Sequence, residues 1–225
     1  MNLQSRRRFL DAMGLGPAWT LRRAPHIASA PESVPFSAPV SQQAIAAMNW
    51  IELAAAAASC TRCDLCRSRS NTVFGRGATD ASLIVLGGAP DRVDEEAGAP
   101  VGGAPGQLLD NMLRAIDLAP QQVYVTNLVK CRPPAGAATA QQLSACRPYL
   151  ERELTLLTQA RTLLALGLQA EQSALPAGAL GAFAVVATLH PDDVLRSEQL
   201  PALAQAKARV WVDLCLAKDA HAARA

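Results

Sequence analysis

The sequence of 225 residues lacks any long apolar stretch and contains few charged residues. A membrane-spanning helix needs about 20 consecutive apolar residues, and charged, amide or proline residues interrupt every apolar run here well before that length. The low charged fraction of 18%, beside 50% hydrophobic residues, excludes intrinsic disorder. The composition therefore excludes a membrane protein and predicts a globular domain with a buried core.

The few charges are distributed unevenly along the chain. Five arginines and one aspartate give residues 1–24 a net charge of +4, and because the whole chain carries +2, the remaining residues carry −2. Proteins that bind a nucleic-acid backbone usually have a basic excess, since released counterions supply much of their affinity. The main body has no such excess overall, so a DNA contact would have to use a local basic face.

Prolines divide the chain into three predicted parts. Four prolines stand among Ala and Ser between residues 24 and 40, a composition that prevents a helix and favours an extended tether. We predict an N-terminal peptide at residues 1–23, a linker at 24–40 and one folded domain at 41–219. The domain is predicted to begin with a helix from Ser41 to about Ala58. Its apolar side is predicted to consist largely of Ile45, Met48, Ile51 and Leu53.

Strand and helix patterns alternate through the rest of the domain. Helical spacing of apolar residues appears between Gln107 and Leu118, and Thr139 with Gln142 forms a capping box that opens another helix. Such alternation predicts an α/β fold, in which helices cover both faces of a parallel sheet and ligands bind beyond the carboxyl ends of its strands. The β-branched apolar runs that predict buried parallel strands are Ser82 to Leu86, Val123 to Thr126, Thr162 to Leu166 and Ala184 to Thr188.

Cysteines are also scarce, and their spacing indicates metal ligands. Six in a chain of this length are too few for a disulfide scaffold. One C-x2-C pair and a distant C-x14-C pair suit four thiolates that converge on one metal centre, and both zinc and a four-iron cluster are compatible with that number. The predicted ligands are Cys60, Cys63, Cys131 and Cys146. Cys66 could compete as a ligand, and Cys66 and Cys215 are otherwise expected to be buried thiols.

The order of several segments resembles the iron–sulfur uracil-DNA glycosylases, family 4 of that superfamily. The resemblance covers about residues 59 to 214 and is carried by CTRCDLC, LIVLGGAPDRVDEEAGAPVGGAPGQLLDNML, VYVTNLVKCRPP and TLHPDDVLR. It implies a three-layer α/β/α sandwich around a four-stranded parallel sheet. It also implies that the four predicted ligands hold a structural 4Fe-4S cluster, and that the protein acts in the cytoplasm by removing uracil from DNA.

The resemblance also implies roles for five positions in the pocket. Asn127 matches the asparagine that reads the edge of uracil, and His190 matches the histidine that supports charge developing on the base. Asp94 offers a carboxylate for activating water. Gly87 opens the family's first motif, and Val101 stands where the family has a phenylalanine that stacks on uracil. Considered alone, Asn127 could instead cap a turn and His190 could simply pack in the core.

Several pocket positions depart from the family pattern. Gly88 replaces the glutamate of the family's G-E-A-P-G motif, and Val101 removes the aromatic face, which is worth about 1–3 kcal/mol per stacked base. Asp192 and Asp193 follow the histidine, in a loop expected to enter DNA, and would repel phosphates. Lys130 and Arg132 remain as basic residues. A second hypothesis is therefore a catalytically inactive adaptor on the same fold.

The N-terminal peptide supports that second hypothesis. The run RRRFLDAMGLGPAWTLRRAP resembles the N-terminal peptide of psi, the small clamp-loader subunit of bacterial replicative DNA polymerase. The resemblance implies a clamp-loader or replisome partner for residues 1–23. Twin-arginine export is an alternative, because SRRRFL fits that signal, but Gly14, Gly16 and Pro17 interrupt the apolar core that a signal needs.

Overall fold

The computed structural model describes residues 40–167, 170, 183–197 and 200–223. The predicted N-terminal peptide and nearly all of the linker lie outside these residues, and the predicted domain bounds stay a prediction. Within the described residues no helix combines the length and apolar character needed to cross a bilayer. The helices are α1 (Gln42–Ala47), α2 (Trp50–Ala58), α3 (Arg92–Ala97), α4 (Gly103–Ala115), α5 (Ala140–Leu156), α6 (Pro191–Arg196) and α7 (Leu200–Ala222). The strands are β1 (Gly75–Gly77), β2 (Leu83–Gly87), β3 (Val123–Asn127), β4 (Thr162–Leu166) and β5 (Ala184–Thr188), and short 3₁₀ turns lie at Asp64–Arg67 and Pro120–Gln122.

The single helix predicted from Ser41 to Ala58 is wrong, because the structure divides it into α1 and α2. Asn49 starts the second helix: its side chain accepts the Glu52 N–H at 3.0 Å, and the Glu52 carboxylate accepts the Asn49 N–H at 2.9 Å. This capping box interrupts the helical pattern. Ile45 and Leu53 are buried as predicted, whereas Ile51 is 81% exposed.

The sheet contains all four predicted parallel strands and one further strand. Its order is β1-β3-β2-β4-β5. β2, β3, β4 and β5 pair in parallel, while β1 runs antiparallel to β3 at the edge. The sequence did not predict β1, because three residues reading Gly-Arg-Gly have no alternating apolar pattern.

Helices cover both faces of this sheet, so the predicted three-layer α/β/α architecture is confirmed. Leu83 and Val85 of β2 pack with α4 and α7 on one face, in a core that includes Leu109 and Leu214. The alternate β2 residues, Ile84 and Leu86, pack with α5 on the other face. A smaller cluster joins α1 and α2 to α5 through Tyr149. Because successive strand residues point to opposite faces, a fully apolar strand implies two covered faces.

The strand order brings three strand ends together. After β2 the chain adds β3 on one side of it, and later β4 on the other side. Open parallel sheets of this kind form a crevice at the carboxyl ends of the strands where the order reverses. Here that crevice lies beyond the ends of β2, β3 and β4, and it holds the candidate active site.

Candidate active site and cysteine cluster

A cleft of about 460 Å³ opens at the carboxyl ends of the parallel strands. Five segments line it: the β2 to α3 loop with the start of α3, the loop into α4, the end of β3 with the residues after it, the end of β4 with Gly167, and the start of α6. The structure therefore brings four predicted site residues to one place, although they lie far apart in sequence. Those four are Asp94, Val101, Asn127 and His190. Gly87 does not line the cleft and instead pairs with Asn127 within the sheet.

Asn127 lies at the end of β3 and is only 2% exposed. Its side-chain nitrogen Nδ2 has no hydrogen-bond partner among the described residues. A buried donor without a partner costs about 1–3 kcal/mol, so this amide is suited to a ligand acceptor in the cleft. A Cβ atom on Gly87 would stand 2.3 Å from the Asn127 Oδ1. Only glycine at position 87 leaves room for the Asn127 side chain.

Asp94 is held at the rim of the cleft and is 6% exposed. Its Oδ1 accepts the Gly102 N–H at 2.6 Å, and it shares a capping box with Asp91 at the start of α3. Burial raises the pKa of the Asp94 carboxyl, against the lowering effect of these backbone N–H groups. The carboxylate therefore orders the loop before α4 and also borders the cleft.

Val101 forms part of the cleft wall and has a φ of 52°. This left-handed conformation is uncommon for a β-branched residue, and it is maintained by close packing. A Cβ on Gly106 would stand 2.3 Å from the Val101 carbonyl oxygen, so the glycine lets α4 approach the loop. No aromatic side chain is among the described residues that line the cleft. A planar ring bound there would therefore find no aromatic face among these residues to stack on.

His190 is the residue that caps the N-terminus of α6. Its Nδ1 accepts the Asp192 N–H at 3.2 Å, so in the neutral ring the proton lies on Nε2, which is then a donor. Burial lowers the pKa of His190, while the charges of Asp193, Asp192 and Asp94 act in the opposite direction. The geometry thus favours a neutral imidazole with one N–H for a ligand.

The charges around the cleft are largely paired. Arg196 forms ion pairs with Asp192 and Asp193 in the short helix α6, so these aspartates repel phosphate less than the sequence suggested. Arg132 lines the cleft, and its Nε donates to Glu95 at 2.8 Å. Hydrogen bonds from Arg132 and from the Ser70 N–H lower the pKa of Glu95 despite its burial. The sequence did not indicate this pair, because its two partners are far apart in the chain.

Lys130, one of the two basic residues that remain at these positions, is buried in the domain. Its side chain is 2% exposed, and its Nζ lies 2.5 Å from the Glu153 Oε2. Glu153 is itself fully buried. A lysine in this position cannot neutralise a phosphate, because the DNA backbone cannot reach it.

The four predicted thiol ligands line one small cavity between α2, the 3₁₀ turn, the end of β3 and α5. Arg62, which stands between the first two cysteines, donates from Nε to the Ala145 carbonyl at 3.1 Å and so holds that segment against α5. The residues concerned are Cys60, Cys63, Cys131 and Cys146. Cys66 and Cys215 are outside this lining and are only partly buried.

Hydrogen-bond donors approach two of the four sulfurs. Within the described ranges no three His, Cys, Asp or Glu side chains are arranged to hold one metal ion. N–H groups nevertheless point at the sulfurs: the Lys130 N–H donates to the Cys146 Sγ at 3.3 Å, and the Arg69 Nη1 donates to the Cys131 Sγ at 3.2 Å. Burial raises the pKa of Cys146 to about 12 and also raises that of Cys131. A bound cationic group would be needed to keep these thiols ionised.

Comparisons with known proteins agree with this architecture. The family model for the uracil DNA glycosylase superfamily matches residues 74–215, which is more than half of the chain. A type-4 uracil-DNA glycosylase of Archaeoglobus fulgidus is 41% identical over 97 residues, which cover 43% of this chain and 49% of that protein. The corresponding protein of Pyrobaculum aerophilum is 38% identical over 111 residues, which cover 49% of this chain and 56% of that protein.

A longer alignment completes the comparison. The type-4 uracil-DNA glycosylase of Thermotoga maritima is 30% identical over 152 residues, which cover 61% of this chain and 79% of that protein. The chain thus spans about half the length of the first two relatives and most of the third. On its sheet topology, the matched family model and these identities, the chain belongs to the uracil DNA glycosylase superfamily, in the group of the type-4 proteins.

Proposed function

We propose that the protein is a uracil-DNA glycosylase that cleaves the bond between uracil and deoxyribose in DNA. The single observation that carries this proposal is the unpartnered Nδ2 of Asn127, which borders the same cleft as His190. A buried amide donor at the end of a strand suits recognition of a base carbonyl. The target base would have to leave the duplex stack to reach it.

The cleft residues suggest a division of roles in the reaction. Asn127 donates from Nδ2 to a uracil carbonyl and selects a base with oxygen where cytosine has an amino group. His190 donates from Nε2 to the opposite side of the base, where negative charge develops as the bond breaks. The bond between the base nitrogen and C1′ breaks with its electron pair moving to the base, and the oxygen of a water then bonds to C1′. Asp94 accepts the proton that this water releases.

We also propose that Cys60, Cys63, Cys131 and Cys146 hold a 4Fe-4S cluster. The convergence of four thiols and two N–H···S contacts supports this assignment. When bound, such a cluster supplies a cross-link between the segment after α2, the end of β3 and α5, and the chemistry in the cleft uses the residues named above. The uracil-containing DNA would be bound in the cytoplasm.

The test is a single-turnover excision assay on oligonucleotides that carry one uracil, with cluster-loaded protein. Wild type is expected to release uracil, and Asn127→Ala and His190→Ala should each slow release by about a hundredfold or more. Asn111→Ala, on the exposed side of α4, is the matched control and should behave as wild type. A wild-type protein with intact cluster and no excision would refute the proposal.

A second candidate function is a non-enzymatic replisome adaptor that binds the clamp loader through residues 1–23. The described cleft lining supports it, because it contains no aromatic side chain for stacking a base. If the wild type excises no uracil and a Val101→Phe, Gly88→Glu double variant does, the result would favour the adaptor. Binding of the clamp loader to a peptide of residues 1–23, lost on Trp19→Ala, would support it directly.

A further inference from the structure

Lys130 and Glu153 form a fully buried ion pair that the proposed reaction does not use. The Lys130 ammonium donates to the Glu153 Oε2 at 2.5 Å and to the Thr126 Oγ1 at 2.6 Å. Tyr124 donates from its hydroxyl to the other Glu153 oxygen at 3.1 Å. The Phe74 ring lies 5.6 Å from the Lys130 Nζ. Every part of this pair is enclosed by protein.

The same lysine connects the cysteine cluster to the base-reading residue. Its backbone N–H donates to the Cys146 Sγ at 3.3 Å, and its Nζ donates to the backbone carbonyl of Asn127 at 3.1 Å. Lys130 also directly precedes Cys131 in the chain. The Lys130 side chain therefore folds back toward β3, and its ammonium holds the carboxyl end of that strand through the Asn127 carbonyl.

Stability alone does not explain why charged residues occupy this place. Removing two charges from water costs several kcal/mol per ion, and well-packed apolar residues of similar volume are often as stable or more stable. An apolar pair could not, however, hydrogen-bond the Asn127 carbonyl or the Thr126 hydroxyl. What the ion pair adds is a fixed position for the last two residues of β3.

We propose that Lys130 and Glu153 are positioning residues that hold Asn127 in the orientation needed to read the base. Glu153 fixes the ammonium, the ammonium fixes the Asn127 carbonyl, and the side-chain amide, which has no partner of its own among the described residues, then faces the cleft. This inference rests on the proposed function for its catalytic consequence. The positioning itself is a property of the free protein and can be measured separately.

The experiment uses the cluster-loaded double variant Lys130→Met, Glu153→Leu, because either single change would leave one buried charge without a partner. Tyr124→Phe is the matched control, since it removes one hydrogen bond from Glu153 and leaves all three Lys130 contacts in place. Amide hydrogen exchange across β3 is measured by mass spectrometry alongside the unfolding midpoint. Excision kinetics and affinity for uracil-free DNA are measured on the same samples.

The double variant is expected to keep its iron content and its unfolding midpoint, while exchange at the end of β3 becomes at least about tenfold faster. Its kcat for uracil excision should fall by about a hundredfold, as a small misplacement of a positioned group can cause. Its affinity for uracil-free DNA should not change. Tyr124→Phe should match wild type in exchange and in kcat.

Unchanged exchange together with unchanged kcat in the folded double variant would overturn the inference. If the wild type excises no uracil, the proposed function fails, and the exchange measurement still decides whether the pair positions Asn127. Should the double variant not fold, Lys130→Met with Glu153→Gln replaces it, since the neutral amide still accepts from Tyr124 while the Asn127 carbonyl loses its donor. Wild-type exchange in that variant would overturn the inference in the same way.

Discussion

At the scale of single residues, the cleft depends on close approaches that only small side chains permit. Asn127 can lie at the end of β3 because its neighbour in β2 is Gly87. Val101 can hold its left-handed backbone because Gly106 lets α4 come close to it. In both cases a residue that lines the cleft keeps its conformation because a glycine leaves room beside it.

Substituting Gly87 by alanine should therefore disable the cleft without unfolding the domain. The new Cβ would stand 2.3 Å from the Asn127 Oδ1 and would force that side chain to move. We expect uracil excision to fall by about a hundredfold, with an unchanged circular dichroism spectrum. Gly98→Ala is the control: it forces a left-handed φ of 67° with open space around the Cβ, so it should cost about 1 kcal/mol of stability and no activity. Full activity of Gly87→Ala would contradict the argument.

Protonation of His190 should lower the stability of the folded protein at acidic pH. Burial places its pKa below the ordinary value of 6.5, so the folded protein resists protonation that the unfolded chain accepts. The contribution of this group to stability is then complete above pH 6.5 and is lost as the pH falls toward the folded pKa. Protonation also removes the acceptor for the Asp192 N–H. An NMR titration of the ring should give a pKa below 6.5, and a value above it would contradict this account.

At the scale of elements, the sequence predicted structure best where one local pattern indicated a helix or a strand and no second pattern conflicted with it. Thr139 with Gln142 predicted the start of α5, and the structure has that capping box with Thr139 at the N-cap. The four parallel strands were predicted nearly to the residue, because buried apolar runs stand out against their polar neighbours. The break at Asn49 was missed, because the alanines before it and the alanine run at residues 54–58 suggested one helix.

Side-chain pairing between distant elements could not be predicted in the same way. Asn127 and His190 were found as candidates because the family resemblance names them, and the strand ends explain why they meet. Nothing in the sequence links Lys130 to Glu153 or Arg132 to Glu95, since only the tertiary fold brings these partners together. By contrast, Arg196 pairs with Asp192 and Asp193 at i,i+4 and i,i+3 within α6, a local spacing that the sequence already contains.

At the scale of the whole molecule, an iron–sulfur cluster held by the four cysteines is expected to colour the protein and to stabilise its fold. Anaerobically purified protein should be brown with about four irons per chain. Cys60→Ser and Cys131→Ser should lose iron and lower the unfolding midpoint, because metal ligation is coupled to folding. Cys215→Ser on α7 is the control and should keep both. One zinc per chain in a colourless protein would refute the cluster and leave the fold unaffected.

The order of the elements along the chain also determines when each site is complete during synthesis. The central strand, β2, leaves the ribosome before the three other parallel strands, and β3 and β4 then add on either side of it. The four clustered cysteines have all emerged once α5 is made, whereas His190 follows β5. Domains generally fold as their chains emerge, N-terminal parts first. A nascent chain can therefore bring its four clustered cysteines together while its cleft still lacks the histidine, so the proposed cofactor site is complete before the proposed active site.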